Sequence, residues 1–433
     1  MSVTGVIFAI FYALCLIGGI FVSPKIAVLG YLSVYTITPA GRWWGKGLSG
    51  LGVRFSQFMV ISLVLGALIH FKHTRLTQRP KLQEVLLILF VLITWISIPL
   101  GLPGIEGGEN FALKLTKVAV FVLLFGRVII TLKDFEHVLW LLLVTAAFMA
   151  IESSASGVFQ GGRIDQGIGG TDFSEGNFMA AHFAMLLPFA GLLFFKKGLL
   201  KKATVAGCCV LVLNGFFMCR SRGATLALAA GSLISALFSP KGIRGKVFFG
   251  MAVAVIGAVF LIDPGFVGRV QTINTDIGDV ENLEPSSAGR VLAWRAAIDM
   301  FKDHPMGIGQ GNFKTYVNQY QPGLEGKDTH NTYLRCLAEL GAQGLLVLLA
   351  LIANAYITLL RLNKRALRLP NAADYRWHVF SCFAAITILC ASSMFITHVY
   401  VEELYLLLSF PSVLEAISKD SERNSPQELD AAA

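Results

Sequence analysis

The sequence predicts an all-α, polytopic integral membrane protein of about 12–13 transmembrane helices, with one long outward loop that contains amphipathic helices. Three observations carry this. The chain is 55% hydrophobic and 15% charged, against about 45–50% and about 25% in an ordinary soluble domain. Its apolar residues come in blocks, many near the roughly 17–25 residues that a bilayer span needs. Clusters of Lys and Arg occur in alternate connections between those blocks, the pattern set by retention of basic loops on the cytoplasmic side.

Taken in order, the blocks fall near 3–22, 26–40, 55–71, 85–101, 113–131, 137–153, 177–195, 203–219, 222–238, 247–262, 332–360, 378–396 and 399–416. The first has the look of a secretory leader, but no small-residue cleavage site followed by a soluble domain accompanies it, so it is expected to stay in the membrane. The organisation read from these blocks is 1–176 as N-terminal membrane helices, 177–262 as central ones and 263–331 as the long loop. C-terminal helices over 332–416 and a polar, disordered cytoplasmic tail over 417–433 complete it. The seven cysteines lie in or at the ends of apolar blocks, without disulfide or zinc spacing.

The basic connections are Lys72, Arg75, Arg79 and Lys81; Lys196, Lys197, Lys201 and Lys202; Lys241, Arg244 and Lys246; and Arg361, Lys364, Arg365, Arg368 and Arg376. With these inside, residues 41–54, 101–110, 154–176, 220–222 and 263–329 face outward. The net charge of +9 then reflects topology and needs no nucleic acid. Arg220 and Arg222 break the pattern, since two cations in a short outward turn are disfavoured by topology alone.

The long loop concentrates the useful chemistry. Residues 285–301 read as a helix capped by Ser286 or Ser287, with Val291, Trp294, Ile298 and Phe301 forming an apolar face for the membrane surface. Arg290 and Arg295 then stand near headgroup level, where guanidinium forks suit a diphosphate; snorkelling is the plainer alternative. Three alternating glycines in Gly307-Ile-Gly-Gln-Gly-Asn-Phe313 lack a preceding strand and a GK[ST] ending, so they read as a turn approached closely by protein backbone. His330 falls at the mouth of a spanning helix capped by Asn331 or Thr329, a place for a general base or merely a helix-start residue. Arg335 and Glu339, one turn apart inside that helix, read as a structural ion pair.

Elsewhere, Lys114 and Lys117 either snorkel or help to hold a diphosphate. His182 reads as a helix-packing partner. His398, Glu402 and Glu403 sit at the last outward turn, either solvated or part of the site. No HExxH, P-loop, GxSxG or Asp-x-Asp motif is present. Asp276, Asp279 and Glu281, loosely spaced, read as a solvated loop, with a divalent-ion site as the alternative, and a reaction without metal or cofactor is expected.

Several short motifs in a fixed order resemble the O-antigen ligase superfamily. They are Ser221-Arg-Gly-Ala-Thr-Leu-Ala-Leu228, Gly289-Arg290 just before Trp294, Gly307 to Phe313, His330-Asn-Thr-Tyr-Leu, and Glu339-Leu-Gly341. The motif-bearing part runs from about Gly169 to Gly344. Ser23-Pro-Lys and Pro39-Ala-Gly-Arg-Trp-Trp-Gly45 also resemble the exosortase-associated O-glycosylation ligase branch.

The resemblance implies a GT-C-like, inverting, metal-independent glycosyltransferase of the bacterial inner membrane, with its long loop and active site facing the periplasm. The donor is a glycan on undecaprenyl diphosphate, and the acceptor is lipid A-core, another glycan or a protein. His330 would be the base, and Arg222 and Arg290 the diphosphate ligands. The Arg-Gly-Ala context favours Arg222 over Arg220. The rivals are a polymerase or protein O-oligosaccharyltransferase with the same chemistry, and a transporter or flippase for such lipids, against which the lack of an internal repeat argues.

Overall fold

A computed structural model describes the chain except residues 1, 51, 105–107, 161, 167, 169–171, 197, 262–264, 266, 269–284, 370 and 425–433. Every apolar block read from the sequence coincides with a helix. The N-terminal half contains α1 (Val3–Phe21), α2 (Pro24–Thr36), α3 (Phe55–Ile69), α4 (Leu82–Leu100), α5 (Gly108–Val128) and α6 (Leu132–Ser156). A short antiparallel hairpin, β1 (Val158–Gln160) and β2 (Arg163–Gln166), follows. Then come α7 (Gly176–Phe194), α8 (Leu199–Met218), α9 (Arg222–Phe238), α10 (Lys241–Leu261), α11 (Pro285–Asp303), α12 (Phe313–Tyr320), α13 (Thr332–Ala366), α14 (Ala372–Ser392) and α15 (Glu402–Asn424).

Among the described residues six helices, α1, α4, α6, α7, α8 and α13, are long and apolar enough to cross a membrane. The protein is a multi-pass, all-α membrane protein. The remaining apolar helices are shorter or carry charges. With 13 residues, α2 reaches only roughly 20 Å at about 1.5 Å per residue, less than the hydrocarbon thickness of about 30 Å. Large apolar side chains such as Leu14, Ile61, Leu92 and Leu233 stand exposed on the outer helices, as lipid-facing positions do. The core is shared by α7, α14 and α15, whose facing side chains include Phe183, Phe189, Ile386 and Phe410, all buried.

The two ends of the bundle separate as the loop charges predict. At one end, Arg75 pairs with Asp420 and donates to the carbonyls of Ile129 and Ile130, Lys81 donates to the carbonyl of Ser412, and Lys196 pairs with Glu136 and Asp374. The loops predicted to face outward meet at the other. There the Leu102 N–H donates to the Ile308 carbonyl, and Thr332 donates to the carbonyls of Ser393 and Ile396. Residues 417–424 of the expected polar tail are helical, since α15 continues to Asn424 and its Asp420 is held by Arg75; residues 425–433 lie outside the described part. The seven cysteines are free.

The Pro39–Gly45 motif is a packing device. Arg42 forms a buried ion pair with Glu152, and the Trp44 indole N–H donates to the same carboxylate at 2.8 Å. This closes the outward end of α2 onto α6.

Candidate active site

The glycine loop builds the floor of the outward end. Gly307, Gly309 and Gly311 all have positive φ, which glycine adopts without steric cost. A Cβ on Gly307 would sit 2.4 Å from the Glu339 carbonyl oxygen, and one on Gly101 2.4 Å from Gly309 Cα. The glycines therefore let backbone meet backbone, as expected, with Ile308 and Gly309 N–H donating to the carbonyls of Ala338 and Glu339. Gly341, at φ 68°, breaks the helical geometry of α13 where Met306 crosses it. With ψ −168° beside that φ, Gly341 lies in a region essentially confined to glycine, so Gly341→Ala is expected to cost at least about 1–3 kcal/mol, read as a lower melting temperature in detergent; an unchanged melt would remove the kink's structural role.

Arg335 and Glu339 anchor that floor. The Glu339 carboxylate lies 2.7 Å from Arg335 Nε, in a charge contact rather than a well-aligned hydrogen bond, and accepts from the Phe313 N–H at 2.8 Å and from the Tyr400 hydroxyl. Glu339 is thereby committed to these structural contacts.

His330 stands just before α13, whose N-cap is Asn331, the side chain accepting from the N–H of Tyr333 and Leu334. His330 has φ 46°, uncommon for a residue with a Cβ. The conformation is held by Asp328, whose Oδ1 accepts from the His330 N–H at 3.3 Å and from the Thr397 hydroxyl at 2.6 Å. Arg335 and Lys314 each lie 3.4 Å from the same carboxylate. Burial pushes the Asp328 carboxyl upward, but Arg335, Thr397 and Lys314 outweigh it and hold it well below the usual carboxylate range.

Arg290 comes to this junction through α11. The Trp294 indole, one turn further along, donates to the Thr329 carbonyl at 2.9 Å and fixes the helix beside the His330 turn. Burial first, and then the positive charge of Arg290, push the His330 imidazole down to about 4. Arg290 also acts on Glu175, just before α7, whose carboxyl is raised by burial and then by the negative charge of Asp328. His330, Arg290, Asp328, Lys314 and Glu175 thus form one electrostatic group.

Arg222 is the first residue of α9, with Ser221 as its N-cap. Next to it, Gly223 is pressed against Phe395, 2.5 Å separating a Cβ there from the Phe395 Cβ. The 393–398 turn is the one that bonds Thr332 and Asp328, so Arg222 enters at the same end. Arg220, at φ 44°, lies against Gly162 of the hairpin and against Gly265.

The other candidates go elsewhere. Arg295 is exposed, because α11 turns a small-residue face of Ala293, Ala296, Ala297 and Met300 into a cluster with Ile308, Phe313 and Val317. The face expected on the membrane surface is corrected accordingly: Val291 is buried, Trp294 half-buried and Ile298 41% exposed. Lys114 pairs with Asp172, while Lys117 is exposed. His182 pairs with Glu403, Glu402 N–H donates to Asp172, and His398 contacts Ser393, all buried, so these groups are not solvated. Asp276, Asp279 and Glu281 lie outside the described residues. Among the described residues no three His, Cys, Asp or Glu side chains converge to hold a metal ion.

Sequence reasoning missed Asp328, Lys314, Thr397 and Glu175. Asp328, two residues before His330, was within reach as a turn-forming carboxylate; the others approach from distant helices.

Residues 207–349, from α8 through the long loop to the first half of α13, match the family described as O-antigen ligase. That stretch is similar to the O-antigen ligase family. Arg220, Arg222, Arg290, Arg295, His330 and Glu339 all fall within the matched residues, whereas Lys114, Lys117, Asp172 and Glu175 lie before them. No curated protein matches the chain. The family implies a membrane glycosyltransferase of ligase or polymerase type, which takes a lipid-linked glycan donor and a glycan acceptor.

Proposed function

We propose that the protein transfers a glycan from undecaprenyl diphosphate to an acceptor hydroxyl, lipid A-core or a similar glycan, at the periplasmic face of a bacterial inner membrane. The observation that carries this reading is the meeting of His330 with Arg290 and Asp328 at the outward loop–helix junction, with Arg222 entering at the same end. In this reading residues 263–331 are the periplasmic loop, between the membrane helices of 1–262 and those that follow.

The acceptor oxygen attacks the anomeric carbon as the bond to the diphosphate oxygen breaks, with inversion. The acceptor proton passes to His330, and the bonding pair leaves with the diphosphate. Arg222 and Arg290 stabilise that leaving group, whose negative charge grows as the bond lengthens, so they act most strongly in the transition state. No metal is needed for this division of labour. His330 is neutral at physiological pH and ready to accept a proton. A bound diphosphate offsets the charge of Arg290, which makes the imidazole more basic when the donor is present.

Arg290→Gln is expected to raise the donor KM and to move the acid limb of the kcat/KM profile upward from about 4 toward 6.5, since one cause of the lowered value is removed. A base acts when deprotonated, so activity falls as pH drops through that limb. A variant whose limb stays in place would separate Arg290 from His330. The function itself is tested by reconstitution with a carrier-linked glycan and lipid A-core, a carrier-linked glycan or a protein as acceptor, followed by identification of the product. Chain extension on the carrier would make it a polymerase, and a glycosylated protein would make it an O-oligosaccharyltransferase. Movement of the carrier lipid across the bilayer without any product would end the enzymatic reading.

A further inference from the structure

Lys114 and Lys117 lie one turn apart on α5, yet the fold treats them differently. Lys114 is matched by Asp172. Lys117 has no ion-pair partner among the described residues, although it sits roughly 13 Å along the helix from its outward end at about 1.5 Å per residue. Its exposed ammonium is available to an anion.

An open surface pocket lies beside it. It has a volume of about 430 Å³ and is lined by Lys117, Arg54, Thr38, Ser49, Ser56 and Gln57 among others, with no acidic residue in its wall. Arg54, also without an ion pair among the described residues, occupies the N-cap of α3 and provides no side-chain acceptor for the first turn. That turn, Phe55 to Gln57, lines the cavity. Two cations and the positive end of a 15-residue helix therefore share one space, a combination that selects phosphate-like anions.

The surroundings select an amphiphile over a free ion. Phe58, Ile61 and Leu65 follow Arg54 at four, three and four residues, on the same face of α3, and are 48%, 52% and 42% exposed. They form an apolar track leading from the cations toward the inner end. Trp43, in the loop that roofs this corner, is 58% exposed, as an aromatic anchor at headgroup level is.

We propose that this cavity is an anionic-lipid site, with Arg54, Lys117 and the start of α3 holding the phosphate headgroup and α3 carrying the acyl chain. None of its lining residues belongs to the His330 group. The inference does not depend on glycan transfer.

The test uses the full chain in neutral detergent, with native mass spectrometry reading retention of short-chain phosphatidylglycerol against phosphatidylcholine of the same chain length. The wild type should retain phosphatidylglycerol preferentially, and Arg54→Gln with Lys117→Gln should lower that retention at least tenfold. Arg54→Lys with Lys117→Arg should preserve it, as should Lys46→Gln, an exposed cation of the same loop outside the cavity wall. Equal retention by the doubly neutral variant, or an equal loss in Lys46→Gln, would overturn the site. Inorganic phosphate that displaces the lipid at matched concentration would overturn the lipid as its occupant. Melting curves of all variants ensure that retention is compared between folded proteins.

Discussion

His330→Ala is expected to lower glycan transfer by about 10²–10⁴-fold, the range ascribed to a positioned general base, while donor binding stays close to that of the wild type. The half-buried imidazole is placed by a backbone conformation at φ 46° that Asp328 holds through the His330 N–H. Removing the ring leaves that backbone bond intact, so the Arg222 and Arg290 side of the site should be undisturbed. Measuring kcat and donor affinity separately is therefore the decisive experiment. Comparable losses in both would mark His330 as a structural element of the loop, and retained turnover would remove it as the base.

Glu339→Ala should have the largest effect on folding. Its carboxylate sits at the centre of three contacts, with Arg335, the Phe313 N–H and the Tyr400 hydroxyl. Both Glu339 and Arg335 are buried, and removal of one member of a buried ion pair typically costs about 3–5 kcal/mol because the remaining charge is left without its partner. The loss should appear as a lower melting temperature and poorer recovery of monodisperse protein in detergent. Glu339→Gln, which keeps an acceptor oxygen for Phe313, should lose less. Equal melting of the wild type and Glu339→Ala would show that the glycine loop is held to α13 by its backbone hydrogen bonds alone.

These variants separate two roles that lie close together on the chain. His330 and Glu339 are carried by the same stretch, yet one faces the outward junction while the other is buried beneath it. Arg335 links them, contacting Glu339 at 2.7 Å and Asp328 at 3.4 Å. Damage to the floor should consequently reach the site through Asp328, and a melting measurement beside each activity measurement tells the two apart.

The sequence by itself determined the membrane body, because the length and apolarity of a span are local properties: each apolar block became a helix, and the basic loops gathered at one end. It also determined that His330 stands just before a helix and that the Gly307–Gly311 turn meets backbone, since capping and positive φ are written in neighbouring residues. Tertiary structure alone decided which distant cations share a space. Helix rotation follows packing, so α11 buries its alanines together with Val291 and Met300, leaves Arg295 and Ile298 exposed and brings Arg290 to His330. On α5 the same principle gives Lys114 to Asp172 and Lys117 to another cavity. Lys314, Thr397 and Glu175 reach the His330 turn from separate elements, and no periodicity within any one segment encodes a meeting of that kind.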